Sequence, residues 1–445
     1  MQMINYRLKK LEKEGKRIKV GVVGVGRMGT GLVCQIAQMQ GMRTVAIADT
    51  TLDRALEAYK ISGIKEKDII ITDDVKTAID SIARGKMVVT KNGQIIPKCP
   101  VDVVVDATGI PEIGARTSFN SIMNKKHVVT LTVEADVVVG PILKILADNA
   151  GVVYTLADGD EPPVIKGLYD FADSLGFKIL AALKGDGPID HYATPETLTL
   201  KATKKNLNPK MYTSFRDGTK TNVELAAVAN ATGLIPDVRG MHGPECTVKD
   251  SSKIFDLKEK GGILQNEGVV DYCIGGGELS VSHYDDYFTG GVALVVTTKH
   301  PQIRKDLKYL FMGEGPNFTL YRPYHLCAIE TPLSIARAVI YNEPTLTPMA
   351  PIAEVIAVAK RDLKTGEILD GEGGFTVYGQ IERGETAKRE NLLPIGLADG
   401  IPLIVGVAKD EPVRYDMVKL NEDSILLVLK RLQDKMFAKQ LKYST

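Results

Sequence analysis

The stretch Ile18-Lys-Val-Gly-Val-Val-Gly24-Val-Gly26-Arg27-Met28-Gly29 constrains this chain more than any other. A mostly β-branched run, Ile18 to Val23, breaks at Gly24, and an apolar helical pattern from Met28 to Met39 begins at once. Such a run reads as a buried parallel strand feeding directly into a helix. Gly24 permits a tight turn, Gly26 lets the backbone approach a pyrophosphate, and Gly29 lets the helix pack closely on the strand. The helix N-terminus, entered through Arg27 and Met28, aims free N–H groups at the phosphates. A second strand follows, Arg43 to Asp49, and its terminal acid lies about twenty residues past the last glycine, where a carboxylate would hold ribose hydroxyls. A merely structural βαβ turn needs fewer of these features together. The spacing predicts dinucleotide binding.

A chain of 445 residues should form two or three domains. A formal net charge of +1 gives no basis for a nucleic-acid or membrane surface. Met1 to Lys16 reads as a solvated amphipathic helix without a signal-peptide core, and no later stretch is apolar enough to span a bilayer. The cysteines, at 34, 99, 246, 273 and 327, are scattered, odd in number and without a CxxC pair. Neither a disulfide framework nor a zinc site is indicated, so a cytoplasmic location is expected.

From Lys19 to Leu156 strands alternate with helices, which predicts α/β architecture with a Rossmann-type, doubly wound parallel sheet. Met87–Thr90 and Gln94–Ile96, joined by Asn92-Gly93, read as a small hairpin. Val101–Ala107 is the most hydrophobic strand; Thr108 and Gly109 beyond it face the cofactor, since ligands bind past the carboxyl ends of parallel strands. Further helices are expected over 139–149 and 164–175, and strands over 127–131, 152–156 and 177–183. From 158 to about 350 the segments are irregular and polar, which suggests an α+β substrate domain. From 351 short strands between glycine turns, among them Leu393–Leu397, suggest a small β-rich module ending in a helix over 424–441. Expected domains are therefore 1–157, 158–350 and 351–445.

Chemistry at a nicotinamide needs a proton donor and something to hold the substrate's charge. Lys184, after an apolar strand, is a proton-transfer candidate whose pKa burial could lower; a surface turn lysine is the plain alternative. Lys220 and Glu224 share a helix face, as a catalytic pair or a surface ion pair, with Asn230 close by in sequence. Asp158, Asp160 and Glu161 could hold a divalent cation such as Mg or Mn, or cap the helix that begins at Pro162. A βαβ unit from Val152 to Leu183 would bring these carboxylates to the crevice of Lys184. His242, His283 and His325 are candidate acids or orienting groups, and Asp186 beside Lys184 is a substrate contact. Arg322, between Tyr321 and Tyr324 in sequence, offers a planar fork for phosphate or carboxylate. No GxSxG or activated Cys–His arrangement suggests a hydrolase.

Asp102-Val-Val-Val-Asp-Ala-Thr-Gly109 and Lys126-His-Val-Val-Thr130 resemble the NAD(P)-binding half of homoserine dehydrogenases. Gly159-Asp-Glu-Pro162, Ala193-Thr-Pro195, Ala229-Asn-Ala-Thr-Gly233, Met241-His-Gly-Pro244 and Tyr321-Arg-Pro-Tyr-His325 resemble a specific offshoot of that superfamily. Lys360-Arg-Asp-Leu-Lys-Thr-Gly366 and Leu393-Pro-Ile-Gly-Leu397 look like a SAF domain. Together they resemble the 1-deoxy-D-xylulose 5-phosphate reductoisomerase-like family over nearly the whole chain. The resemblance implies NADPH-dependent rearrangement and reduction of a phosphorylated ketose, in the manner of isoprenoid precursor synthesis, with the carboxylate cluster, Lys184, Lys220 and Arg322 as candidate groups. It departs from homoserine dehydrogenases at Thr130-Leu-Thr-Val-Glu134, where those enzymes carry Thr-Ala-Asn-Lys with an active-site lysine. Neither Val133 nor Glu134, the latter counted among the cofactor-facing residues, can supply that cation.

Two choices stay open at the level of sequence. Asp49 followed by Thr50 favours NAD(H), because a carboxylate repels a 2′-phosphate, whereas the resemblance implies NADP(H), with Arg54 a helical turn away to compensate. A homoserine dehydrogenase-like enzyme for another small hydroxy or sugar acid is the runner-up, and a non-catalytic dinucleotide sensor with a SAF binding module the third reading. A small phosphorylated substrate and a homo-oligomer are expected.

Overall fold

The computed structural model describes residues 3–205, 207–275, 288 and 290–440. Seven strands, β1 (Ile18–Val23), β2 (Met42–Ala48), β3 (Ile69–Ile71), β4 (Met87–Thr90), β5 (Val103–Asp106), β6 (His127–Thr130) and β7 (Tyr154–Leu156), form one sheet in the order β3-β4-β2-β1-β5-β6-β7. Every pairing in it is parallel. Valine and isoleucine dominate β1 and β5 because both faces of such a sheet are buried. The chain order reverses beside β1, which leaves a crevice outside the ends of β1 and β5. This is the expected Rossmann-like α/β fold.

The hairpin expected at Asn92-Gly93 does not form. Met87–Thr90 is taken into the parallel sheet between β2 and β3, and Gly93–Lys98 is a 3₁₀ turn started by the Asn92 side chain, which accepts from the Gln94 N–H at 3.0 Å. Ile95 and Ile96 are buried in the core of this sheet, so burial overrode the turn signal. The helix expected from Val139 begins earlier, at Val133, and runs to Ala150 through Pro141. Gln433 enters its hydrogen-bond ladder there, donating Nε2–H to the Val138 carbonyl (3.0 Å) and accepting the Ile142 N–H (3.1 Å). An inserted amide beside a proline is a common way for a helix to absorb the distortion.

A second sheet is built from β8 (Lys178–Asp186), β9 (Ile235–Pro236), β10 (Val269–Ile274), β11 (Val292–Thr297) and β12 (Asn317–Arg322), in the order β12-β11-β8-β10-β9. It is mixed: β10 lies parallel to β8, whereas β11 runs antiparallel to both β8 and β12. β7 and β8 therefore belong to different sheets, and the βαβ unit expected from Val152 to Leu183 does not exist. The helix Glu161–Ser174 leads from one sheet into the next, with Pro162 and Pro163 in its first turn, where a missing N–H costs nothing.

Four further strands follow: β13 (Ala353–Ala359), β14 (Ile368–Asp370), β15 (Val377–Arg383) and β16 (Asp399–Pro402), paired β13 with β15 and β14 with β16. The strand expected over 393–397 is instead a 3₁₀ turn, Ile395–Leu397, whose flanks touch strands only through single bridges. The chain groups into two compact units. One comprises the chain up to Pro163, Leu326–Thr347 and the chain from Val428; the other comprises Val164–His325 and Pro348–Leu427. Among the described residues no helix is long and apolar enough to cross a membrane.

Candidate active site

The glycine turn behaves as three residues with three different jobs. Gly24 has φ +88°, and a Cβ there would lie 2.8 Å from the Ala107 carbonyl oxygen. A side chain at Gly29 would collide with the Gly24 carbonyl, so this glycine lets the helix Arg27–Ala37 sit on the turn. Around Gly26 a Cβ would meet nothing within 4 Å. Protein packing thus explains two of the glycines and leaves Gly26 beside open space, as a pyrophosphate cradle requires. Asp49 braces this loop: its Oδ2 accepts the Val25 N–H (2.9 Å) and its Oδ1 the Thr51 N–H (2.8 Å).

Beyond β5, Gly109 has φ +64° and donates its N–H to the Thr132 hydroxyl at 3.0 Å. Thr108 donates to Asp106, a fully buried acid whose carboxyl burial pushes up to about 6. Glu134 is buried in the first turn of Val133–Ala150. Asp160 and Glu161, both buried, offer oxygens within 4.8 Å of each other. Asp158 is not in that group; its backbone N–H donates to the Ser334 hydroxyl at 2.7 Å.

Lys184 does not follow β8, as the sequence suggested, but lies within it, on the central strand of the second sheet, and is 5% exposed. Across it runs the helix Thr219–Thr232, every residue of which is buried. Lys184 Nζ is ion-paired with Glu224 Oε2, and Lys220 Nζ lies 3.7 Å from Glu224 Oε1. Two strand positions on, Asp186 accepts a hydrogen bond from Thr221 on the same helix. Residues 184 and 186 share a strand face, while 221 and 224 are one helical turn apart, so the two periodicities interlock. The pair Lys220–Glu224 is therefore no surface ion pair: Glu224 is 1% exposed.

In register, Lys184 stands opposite Val292, and Val292 opposite Arg322. Opposed residues share a face, so Arg322 occupies the same row of the sheet, about 10 Å from Lys184 at two strand spacings. The Arg322 guanidinium stacks over Tyr324 at 4.6 Å. His325 is half-buried just beyond. The structure thus brings together Lys184, Asp186, Lys220 and Glu224, and aligns Arg322 with them.

Two other candidates sit elsewhere in this unit. Asn230 is wholly buried and uses its Oδ1 to accept the Ala353 N–H at 2.9 Å. His242 Nδ1 lies 2.7 Å from Asp271 Oδ2, and its Nε2 3.6 Å from Asp237 Oδ2. The hydrogen bond to Asp271 holds the imidazole above its ordinary pKa. By strand alternation Asp271, opposite Leu183, leaves the sheet on the face away from Lys184. His283 lies outside the described residues.

Sequence reasoning missed Asp217, Lys360, Asp237 and Asp271. Asp217 and Lys360 meet from far apart in the chain, Asp271 meets His242 across 29 residues, and Asp237 holds Gln265 and Asn266 as well as His242, so the local patterns do not show these contacts.

Residues 159–331, less than half of the chain, match the family model described as the catalytic domain of oxidoreductase DRL. Lys184, Lys220, Glu224 and Arg322 all fall within that span. No curated protein matches the chain. Solved structures of similar fold include a probable dehydrogenase from Thermotoga maritima (14% identity, covering 74% of this chain and 90% of that one, TM-score 0.39). Another is scyllo-inositol dehydrogenase from Lactobacillus casei with NAD(H) and scyllo-inositol (14%, 64% and 74%, TM-score 0.36). A third is 1-deoxy-D-xylulose 5-phosphate reductoisomerase from Zymomonas mobilis with NADPH (14%, 48% and 58%, TM-score 0.33). At such identities and scores no substrate or residue role is transferred from them. The matched model is described as that of an oxidoreductase, and these structures of similar fold include a dehydrogenase with NAD(H) and a reductoisomerase with NADPH.

Proposed function

We propose that this chain is an NAD(P)H-dependent reductase or reductoisomerase of a phosphorylated ketose, resembling the conversion of 1-deoxy-D-xylulose 5-phosphate to 2-C-methyl-D-erythritol 4-phosphate. The observation that carries the reading is the buried Lys184–Glu224–Lys220 network on the sheet face that also presents Arg322. Two ammonium groups around one carboxylate can orient the vicinal oxygens of a sugar and pass a proton to a developing alkoxide. Arg322 suits a phosphate, which a guanidinium grips through paired N–H donors.

The open space at Gly26 fits a dinucleotide, with Gly24, Arg27, Met28, Gly29, Asp49, Thr108, Gly109 and Glu134 as its candidate surroundings. A bound nicotinamide would supply the hydride. Asp49 supports NAD(H), although both of its oxygens already hold the loop backbone. A divalent cation, if one is required, would fall to Asp160 and Glu161, with Asp158 alongside in sequence. The division into cofactor, substrate and SAF-like parts at 157/158 and 350/351 belongs to the same proposal.

The runner-up is oxidation of a small hydroxy or sugar acid. Homoserine itself is disfavoured, since neither Val133 nor Glu134, both buried, can supply the lysine's charge. A spectrophotometric screen of purified protein with both nicotinamides decides the matter. It should include phosphorylated ketoses, aspartate semialdehyde, homoserine and branched sugar acids. Turnover with a phosphorylated ketose is expected. Efficient homoserine oxidation would replace this reading with the runner-up, and dinucleotide binding without turnover on any class would leave a sensor.

A further inference from the structure

The five cysteines look unrelated in sequence, but folding puts two of them side by side. Cys246 Sγ lies 3.0 Å from Cys273 Sγ, and both side chains are buried. Their neighbourhood is well defined. Cys273 is on β10, and Cys246 lies on the segment that runs beside the end of that strand, where Ile274 donates to the Pro244 carbonyl (2.9 Å) and Cys246 donates to the Ile274 carbonyl (3.3 Å). The same segment carries His242. Asp271 accepts the backbone N–H groups of His242 and Gly243 as well as contacting the His242 ring. Asp271 and Cys273 are successive same-face positions of β10. The strand therefore grips the loop twice, by Asp271 near His242 and by Cys273 at Cys246.

We propose that Cys246 and Cys273 are a reversible disulfide site that covalently fastens the His242 loop to β10. Two thiols held in contact by a folded backbone need little rearrangement to join, and the ladder bonds around Ile274 already fix their approach. Cys246 also lines a surface recess of about 370 Å³, together with Glu245, Thr247, Asp250, Lys253 and Ile274, which is the side from which an oxidant would approach it. Cys273 is sealed in the core, and burial pushes its thiol well up, so Cys246 is the entry thiol and Cys273 the resolving one.

With a small disulfide such as glutathione disulfide as oxidant, the steps balance. The Cys246 thiolate attacks one sulfur of the oxidant and expels one glutathione thiolate. Cys273 then attacks Cys246 Sγ, breaking the mixed disulfide, and its proton passes to the departing glutathione sulfur, which leaves as the second thiol. Two protein thiols are oxidised, and one small disulfide is reduced to two thiols.

The test uses the full chain, equilibrated over a range of reduced and oxidised glutathione, acid-quenched, denatured and alkylated. Alkylatable thiols should fall from five to three, with a cross-linked peptide joining Cys246 to Cys273 that dithiothreitol releases. Cys273→Ser should stop at a glutathione adduct on Cys246. Amide exchange over 241–246 should slow in the oxidised protein. The site is refuted if all five thiols stay alkylatable at every ratio, or if the cross-link joins another pair. None of these outcomes depends on which substrate the protein turns over.

Discussion

Lys360 Nζ lies 2.8 Å from Asp217 Oδ2, with both residues withdrawn from solvent. The ammonium also donates to the carbonyls of Ala193 (2.7 Å) and Gly374 (2.8 Å). Asp217 in turn accepts the Thr219 N–H at 2.9 Å, at the start of the helix that carries Lys220 and Glu224. In the first turn of that helix the Thr219 hydroxyl accepts from the Gly379 N–H and the Asn222 side chain from the Ile381 N–H, both on β15. Lys360 and β15 therefore act as a frame for the candidate catalytic helix.

Removing one member of this pair should be costly. Lys360→Met would strand the Asp217 charge in the core, where breaking a buried pair typically costs about 3–5 kcal/mol. Lys360→Met combined with Asp217→Asn should recover much of that loss, because no charge remains unpaired. Denaturant unfolding of the single and double variants checks this. A single variant as stable as the parent would mean that the pair contributes nothing.

The glycine turn makes a prediction with opposite signs at neighbouring positions. A Cβ at Gly26 meets no protein atom within 4 Å, so Gly26→Val should leave the fold intact while abolishing NAD(H) and NADPH binding by calorimetry. Gly29→Ala collides with the Gly24 carbonyl and should lower the melting temperature. Unchanged dinucleotide affinity in Gly26→Val would remove the cofactor assignment.

These cases also show what could be read from the chain itself. The strand–glycine–helix stretch was legible because its geometry is local: Ile18–Val23 is a strand with the expected bounds. The sequence marks Lys184 but not its position inside β8, because a lysine-glycine-aspartate run reads as the end of a strand. Here Glu224 and Thr221 supply the partners that let it continue. Asn92-Gly93 failed as a hairpin for a related reason, since burial of Ile95 and Ile96 outweighed the turn chemistry. The Cys246–Cys273 and Lys360–Asp217 contacts join residues far apart in the chain, and no local pattern marks such pairs.

Lys184→Ala should reduce turnover by about 10²-fold or more, the usual loss when a proton-transfer group is removed. Dinucleotide affinity should be little altered. Lys220 remains beside Glu224 in that variant, so the fold should survive better than in Glu224→Ala, which leaves two buried ammonium groups without their shared carboxylate. Comparing single-turnover rates with melting curves separates the two effects. Normal turnover in Lys184→Ala would reduce the lysine to a structural ion pair.

Asp136 offers a test by pH. It is fully buried in the helix Val133–Ala150, accepts the Tyr154 hydroxyl at 3.0 Å, and burial pushes its carboxyl up to about 7 although that hydrogen bond pulls the other way. In the unfolded chain an aspartate titrates near 4. The folded state therefore holds the proton more tightly, and the associated stability is fully present below about pH 4 and lost as pH rises through about 7. Asp106, raised by burial to about 6, contributes in the same direction, while the Tyr154 phenol is pushed up, away from this range. Asp136→Asn keeps an acceptor for Tyr154 but cannot ionise. Its stability should fall less than that of the parent between pH 5 and pH 8, by on the order of a few kcal/mol. Urea midpoints at several pH values across that window measure the difference. Parallel profiles for the two proteins would mean that Asp136 is ionised throughout, and that an unrecognised partner compensates its charge.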